Sequence, residues 1–261
     1  MKVGINSYAF RWAISYGMMD IHRFLSKCEE LDVDVVQICD NLPFADLDEE
    51  TCQAIRERYS GRFVLKTGYK GLEKGDIERA LCVSHKLGAS SMRLVIDGFG
   101  HKASVDEVVE VIKGLLPLLE KLDMRLSIEN HFEHTPEELR SIVEKVGSSY
   151  ITICYDCFNS IALNIDTEHS FSTLLPYIED VHVKDVQICR FNTGFLFRGC
   201  RMGEGILDVE DIVRRTLALH GEAAFILEGW IDELSSQERT LKQEEEINKD
   251  AIRYLKELDH E

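Results

Sequence analysis

The chain of 261 residues carries 30 Lys+Arg against 47 Asp+Glu, a formal charge of −17, with 44% hydrophobic residues, 17 Gly and 4 Pro. So acidic a chain gains nothing from counterion release on nucleic acid and is repelled by anionic lipid; no local basic patch offsets this, so no nucleic acid and no membrane is expected as a partner. The composition is globular, and the length suits one α/β barrel of about 250 residues.

In chain order, short β-branched runs alternate with stretches of helical period, the pattern of βα units around a parallel sheet. Eight strands are predicted: Lys2–Ile5, Val33–Ile38, Phe63–Lys66, Met92–Ile96, Arg125–Ile128, Ile151–Tyr155, Val181–Lys184 and Ala224–Leu227. Several are nearly continuous apolar runs, as strands covered on both faces require. Ile21, Phe24, Leu25, Cys28 and Leu31 share one helical stripe, and Val105, Val108, Val109, Ile112, Leu115, Leu116, Leu119 and Leu122 share a longer one. Ser104 with Glu107, and Thr135-Pro136 with Glu138, have capping-box spacing at helix starts. Gly88, Gly147 and Gly221 stand where helices should stop on a left-handed residue.

The segment Val186–Gly205 is too long for a plain βα loop. The last helix places Ile247, Ala251, Tyr254, Leu255 and Leu258 on one face, and the charged run Gln243–Glu246 reads as a solvated face. No Pro/Ser-rich linker or composition break divides the chain. The expected fold is α/β, a single-domain (β/α)8 TIM barrel over residues 1–261 with a long insertion after strand seven.

The N-terminus turns polar too soon for a secretory leader, and no run of about 18 apolar residues can span a bilayer, so a cytoplasmic protein is expected. Its eight cysteines then read as reduced thiols. Cys154 and Cys157 have C-x-x-C spacing, but strand alternation turns Asp156 toward the barrel, and no second pair has zinc-ribbon spacing.

Barrel enzymes work at the C-terminal ends of their strands. Here strand five runs into Glu129-Asn130-His131, strand six into Asp156, strand seven carries His182 with Lys184-Asp185, and strand eight runs into Glu228. Each acidic strand end taken alone is an N-cap or an ion-pair partner. Four in register on successive strands are expected to converge on the axis as an O₃N set for one divalent ion. Carboxylates favour Mg²⁺ or Mn²⁺ and the imidazole draws the preference toward Mn²⁺, Co²⁺ or Zn²⁺; Mn²⁺ is the first expectation.

On Ile128-Glu129-Asn130, Tyr155-Asp156, His182-Val183-Lys184-Asp185, Gly203-Glu204-Gly205 with Asp208, and Leu227-Glu228-Gly229, the chain resembles the sugar phosphate isomerase/epimerase superfamily along essentially its whole length. These are the xylose isomerase-like TIM barrels, which include ketose 3-epimerases, hydroxypyruvate isomerase and inosose dehydratase. The resemblance implies Glu129, Asp156, His182 and Glu228 as metal ligands. It also implies Glu129 and Glu228 as the catalytic pair that exchanges a proton with a carbon of a small ketose, sugar phosphate or hydroxy-keto substrate through a metal-stabilised enediolate. One departure stands out: those epimerases usually carry a histidine three residues after the strand-six aspartate, and this chain has Asn159, which hydrogen-bonds but does not titrate. The family arginine corresponds to Arg190, Arg198 or Arg201; Arg201, just before the Gly-Glu-Gly turn, is favoured.

Further substrate contacts are expected from Lys184, which could equally only orient Asp156, from Lys66 at a basic mouth with Lys70, which could equally form an internal salt bridge, and from Trp12 as an apolar wall, which could equally be a lid over the core or a subunit contact. Arg93 is expected to pair with a core carboxylate, Asp185 to orient its neighbours, and His131 and His134 to be surface residues. The alternatives are dehydration of a keto-polyol by the same chemistry, or a sugar-binding barrel without activity. Cleavage of abasic DNA, also found in this superfamily, would need more metal ligands and a basic rim. A homodimer or homotetramer is expected from base rates, with the segment after strand seven as a contact or lid.

Overall fold

The computed structural model describes residues 1–97 and 102–258. In chain order it contains β1 (Lys2–Asn6), α1 (Arg11–Ser15), α2 (Ile21–Glu30), β2 (Val35–Ile38), α3 (Glu49–Tyr59), β3 (Val64–Lys70), α4 (Lys74–Leu87), β4 (Ser91–Val95), α5 (Val105–Leu122), β5 (Arg125–Glu129) and α6 (Pro136–Val146). There follow β6 (Ile151–Asp156), α7 (Thr167–Leu174), β7 (Ile178–Val183), β8 (Val186–Phe191), β9 (Gly194–Gly199), α8 (Val209–Leu219), β10 (Ala224–Leu227) and α9 (Gln237–Leu258). Eight strands close into a barrel in the order β1-β10-β7-β6-β5-β4-β3-β2, every neighbouring pair parallel. The expected barrel is the observed one.

The apolar stripes bury as their period requires: Phe24, Leu25 and Cys28 on α2, and Val108, Ile112, Leu115 and Leu119 on α5, are all fully covered. Ser104 and Thr135 make complete capping boxes with Glu107 and Glu138. Gly88 and Gly147 end their helices in the left-handed region. Gly221 does not: α8 stops one residue earlier at His220, whose imidazole Nε2 lies 2.7 Å from the Leu175 carbonyl, so a side-chain contact fixes that end instead of a glycine.

Two strands differ usefully from expectation. β7 begins at Ile178 because the acidic pair Glu179-Asp180, which looks like loop in the sequence, is neutralised inside the barrel by Lys66 at 3.0 and 2.5 Å. β3 runs on to Lys70 because Gly68 leaves room for a neighbouring arginine; a Cβ there would lie 2.8 Å from Arg93 Nε. The segment after β7 is a hairpin of β8 and β9, turned at Asn192 and standing outside the barrel. Its Ile188, Phe191 and Phe195 are exposed, while Phe197 packs edge-on against Phe158 at 5.1 Å.

The charged run near the start of α9 is not wholly solvated. Glu244 is buried, and its carboxylate accepts from the Trp12 and Ala13 N–H groups at 2.8 and 3.0 Å, satisfying the otherwise orphaned first turn of α1. One turn on, Asn248 donates to the Ala9 carbonyl at 2.6 Å. The last helix is thereby docked onto the mouth side of β1.

Candidate metal centre

Glu129 closes β5, Asp156 closes β6, His182 sits one residue from the end of β7, and Glu228 follows β10. Strand register sets them level. Asp156 pairs with His182 across β6 and β7, and the Glu228 N–H extends the ladder to the Val183 carbonyl at 2.9 Å. One ligand atom from each of the four lies within 4.8 Å of the other three.

The arrangement of lone pairs is informative. His182 Nε2 is 2.8 Å from Gln37 Oε1, an oxygen that can only accept, so this nitrogen carries the proton and Nδ1 keeps its lone pair. Nδ1 faces Glu228 Oε2 at 3.2 Å and Glu129 Oε2 at 3.7 Å. A lone pair opposed to two carboxylate oxygens is repulsive unless a proton or a cation lies between them. His182 Nδ1, Glu129 Oε2 and Asp156 Oδ2 are all buried without a hydrogen bond. Arg93 and Lys184 approach the two oxygens at 3.0 and 2.7 Å, as ion pairs without hydrogen-bond geometry. Three hard oxygens and one imidazole suit a divalent ion, so the cluster can hold one.

Amide side chains, backbone N–H groups and Lys184 fix the rest. Asp156 Oδ1 accepts from the Phe158 and Asn159 N–H groups at 2.9 and 2.8 Å, which leaves Oδ2 for the axis. Asn130 exchanges two hydrogen bonds with the Asp156 backbone, tying the ends of β5 and β6 together. Asn159 donates to Glu129 Oε1 at 3.1 Å, and Asn6 to Glu228 Oε2 at 2.6 Å. Lys184 Nζ also donates to Glu228 Oε1 at 3.1 Å and lies 4.5 Å over the Trp230 ring.

The two glutamates are driven apart in acidity. Burial pushes the Glu129 carboxyl up against the pull of Arg93 and His182. Glu228 is also disfavoured by burial, but Lys184 and His182 outweigh it and hold the carboxyl well below the usual range. Burial alone would lower His182 and Lys184; the surrounding carboxylates raise both.

Above the cluster lies a cavity of about 310 Å³ bordered by Glu129, Asn159, Glu228, Trp230 and Phe132, and on its far side by Tyr8, Arg11, Asp40, Lys70 and Arg93. Three expected substrate contacts fall elsewhere. Lys66 is mid-strand rather than at a strand end, and reaches down to Glu179 and Asp180 at the barrel floor. Arg201 is drawn to the surface by Asp250 of α9. Trp12 is turned away, its indole N–H donating to the Ile231 carbonyl at 2.7 Å; the tryptophan at the cavity is Trp230. The histidines also differ from expectation: His131 borders the cavity, bonded to Asp97, and His134 is buried, with Nε2 2.9 Å from the Ala103 carbonyl. Arg93 pairs as expected, with Glu129 at 3.0 Å and Asp40 at 3.1 Å.

Asp185 explains the spacing of its motif. One carboxylate oxygen accepts from the Gly203 and Gly205 N–H groups at 3.0 and 2.8 Å, and the other from Val186 at 2.9 Å. A Cβ on Gly205 would sit 2.0 Å from Asp185 Oδ1, so this turn can wrap the aspartate only with glycine there. Both cysteines of the C-x-x-C pair are buried, and burial pushes both thiols far up, away from reactive thiolate.

Comparison with known proteins fits this geometry. The sequence pattern of the family described as xylose isomerase-like TIM barrel matches residues 71–258. The chain is 24% identical over 261 residues to 3-oxo-isoapionate decarboxylase of Pectobacterium atrosepticum, covering 98% of this chain and 95% of that protein. Among solved structures it is similar to D-psicose 3-epimerase with D-tagatose from Clostridium cellulolyticum H10, at a TM-score of 0.74 and 14% identity over 100% and 99% of the two chains. It is also similar to the IOLI protein with a bound zinc atom, at a TM-score of 0.69 and 18% identity over 97% and 98%.

Proposed function

The chain belongs to the xylose isomerase-like TIM barrel family, and from that membership we propose that it is a divalent-metal-dependent isomerase or epimerase of a small hydroxy-keto carbohydrate. The observation that carries this reading is the convergence of Glu129, Asp156, His182 and Glu228 within 4.8 Å, with three of their inward atoms lacking any hydrogen bond. These four residues would hold the ion, Mn²⁺ by preference. When bound, it supplies Lewis acidity that stabilises the enediolate of a chelated hydroxy-ketone.

The remaining work falls to the chain's own groups. Glu129 on β5 and Glu228 after β10 both border the cavity, with β6 and β7 between their strands around the barrel, so their carboxylates approach a substrate from different sides. Each can take a proton from the carbon beside the carbonyl or return one. Exchange through opposite faces inverts the centre; relay along one face moves the carbonyl. Asn159 offers an amide to a substrate hydroxyl, and Lys184 holds charge beside Glu228 and Asp156. Trp230 and Phe132 wall the cavity against water.

A second reading is favoured by the full-length similarity to a decarboxylase of a 3-oxo sugar acid. Loss of CO₂ from a 3-oxo acid leaves the bonding electron pair on the carbon beside the carbonyl, the same carbanion as deprotonation gives, and one glutamic acid then supplies the proton. The two readings share a site and differ in the bond broken.

Mn²⁺-loaded protein incubated in D₂O with ketoses and 3-oxo sugar acids, followed by NMR and CO₂ detection, separates them. Deuterium beside the carbonyl without CO₂ supports isomerisation or epimerisation, and CO₂ release supports decarboxylation. Glu129→Gln should slow either by at least about 10²-fold. Wild-type protein that binds the sugars yet gives neither product would contradict both readings.

A further inference from the structure

We propose that Asp97, Glu133 and His134 form a second divalent-metal site, of a kind that suits zinc, which ties the connection between β5 and α6 to the connection between β4 and α5 at the rim of the cavity. It shares no ligand with the centre of Glu129, Asp156, His182 and Glu228, and it does not depend on the reaction proposed above.

Among the described residues, this is the one other place where metal-ligating side chains converge: a ligand atom from each of Asp97, Glu133 and His134 lies within 4.8 Å of the other two. Asp97 stands just beyond β4, and Glu133 and His134 directly precede Thr135, which caps α6. Two carboxylates alone would be a solvated corner; His134 makes the difference. It is 2% exposed, and its Nε2 lies 2.9 Å from the Ala103 carbonyl, which only accepts, so Nε2 carries the proton. Nδ1 therefore holds a lone pair, and it is buried without a hydrogen bond. A buried acceptor without a donor costs free energy unless a cation or a proton answers it. The construction repeats that of His182, where the Gln37 oxygen takes the Nε2 proton and turns Nδ1 to the first centre.

The carboxylates complete the set. His131 Nδ1 and the Phe132 N–H, the latter at 3.2 Å, both contact Asp97 Oδ2, which fixes the group's orientation while Oδ1 takes part in neither contact. Glu133 is half-buried, and a carboxylate with four lone-pair sites can serve an ion and another neighbour at once. The two carboxylates cancel the charge of a divalent ion, and the imidazole draws the preference from Mg²⁺ toward Zn²⁺. Three protein donors leave the fourth tetrahedral position of zinc to water. The place of the site gives it a duty. His131 and Phe132 border the cavity, and both are held by Asp97. An ion joining Asp97 to Glu133 and His134 closes the ring of contacts around this turn, and so keeps two walls of the cavity in position without itself touching the substrate.

The test equilibrates metal-free protein with Zn²⁺ by dialysis and counts the bound metal by mass spectrometry. We expect about two ions per wild-type chain and about one in each of His134→Gln, Glu133→Gln and Glu129→Gln. Because Glu133 is half-buried, its variant keeps the test valid if loss of the buried His134 impairs folding. In Glu129→Gln, where only the second site remains, added Zn²⁺ should slow amide exchange over residues 131–134 at least about tenfold, and adding His134→Gln should abolish that protection. A single wild-type ion that Glu129→Gln loses and both other variants keep would overturn the second site and leave the first standing; the reverse pattern would overturn the first and leave the second. Wild-type stoichiometry retained in both His134→Gln and Glu133→Gln would assign the extra ion to adventitious surface binding and overturn the proposal, as would a wild type that binds no zinc.

Discussion

His182 can present Nδ1 to the centre only while Nε2 gives its proton to Gln37, so a neutral carboxamide on β2 sets the ligand form of an imidazole on β7. Gln37→Leu should keep the fold and lower Mn²⁺ affinity about 10–100-fold by calorimetry; unchanged affinity would mean that the amide does not set the tautomer. Asp185 has a different duty, holding the turn before α8 through backbone N–H groups. Asp185→Ala strands the buried Val186 N–H and frees the partly exposed Gly203 and Gly205 N–H groups, and should cost about 1–3 kcal/mol in urea unfolding. At this scale the strand-end carboxylates and His182 were legible, because a charged residue closing an apolar run is conspicuous. Asn6, Gln37 and Asp40 were not, since two are amides without a titratable signature and the third follows a strand whose end gave no motif. Of the two readings of Lys66 the internal salt bridge is the one observed, because β3 is longer than its apolar run, which puts the lysine mid-strand facing the floor.

The elements join through a few polar contacts, and the one between α9 and α1 has a pH consequence. Burial raises the Glu244 carboxyl from 4.5 to about 7, the Trp12 and Ala13 N–H groups offsetting only part of it. Below pH 4.5 folded and unfolded chains are both protonated there; between 4.5 and about 7 only the folded chain keeps the proton, so stability falls as pH rises and levels off above. The shift corresponds to about 3 kcal/mol. In thermal unfolding, the wild-type curve should lose stability relative to Glu244→Gln across this window; a constant difference between the two from pH 4.5 to 8 would contradict the assignment. The sequence could not show this group, because Gln243–Glu246 has the composition of a solvated face and only the packing of α1 selects Glu244 for burial. The segment after β7 was legible as a break in rhythm and not as a hairpin, since β8 and β9 lack a shared buried face to impose strict alternation.

The whole molecule was the most legible scale. Eight alternations of β-branched run and amphipathic helix leave few ways to cover both faces of every strand, and closure into a barrel is one that leaves no edge. Net charge acts at this scale too: −17 on 261 residues stores self-repulsion that salt screens. Raising NaCl from about 20 mM to 300 mM, where the Debye length shortens severalfold, should raise the unfolding temperature at pH 8; a fall would show that specific ion pairs outweigh the global term. Among the described residues, no helix is long and apolar enough to cross a membrane. The most direct test of the metal centre is anomalous diffraction at the manganese edge from a crystal grown with Mn²⁺. We expect one strong peak at the C-terminal end of the barrel, about 2.0–2.3 Å from oxygens of Glu129, Asp156 and Glu228 and from His182 Nδ1. A map with no peak there, or with the ion bound elsewhere while Lys184 still bridges Asp156 and Glu228, would contradict it.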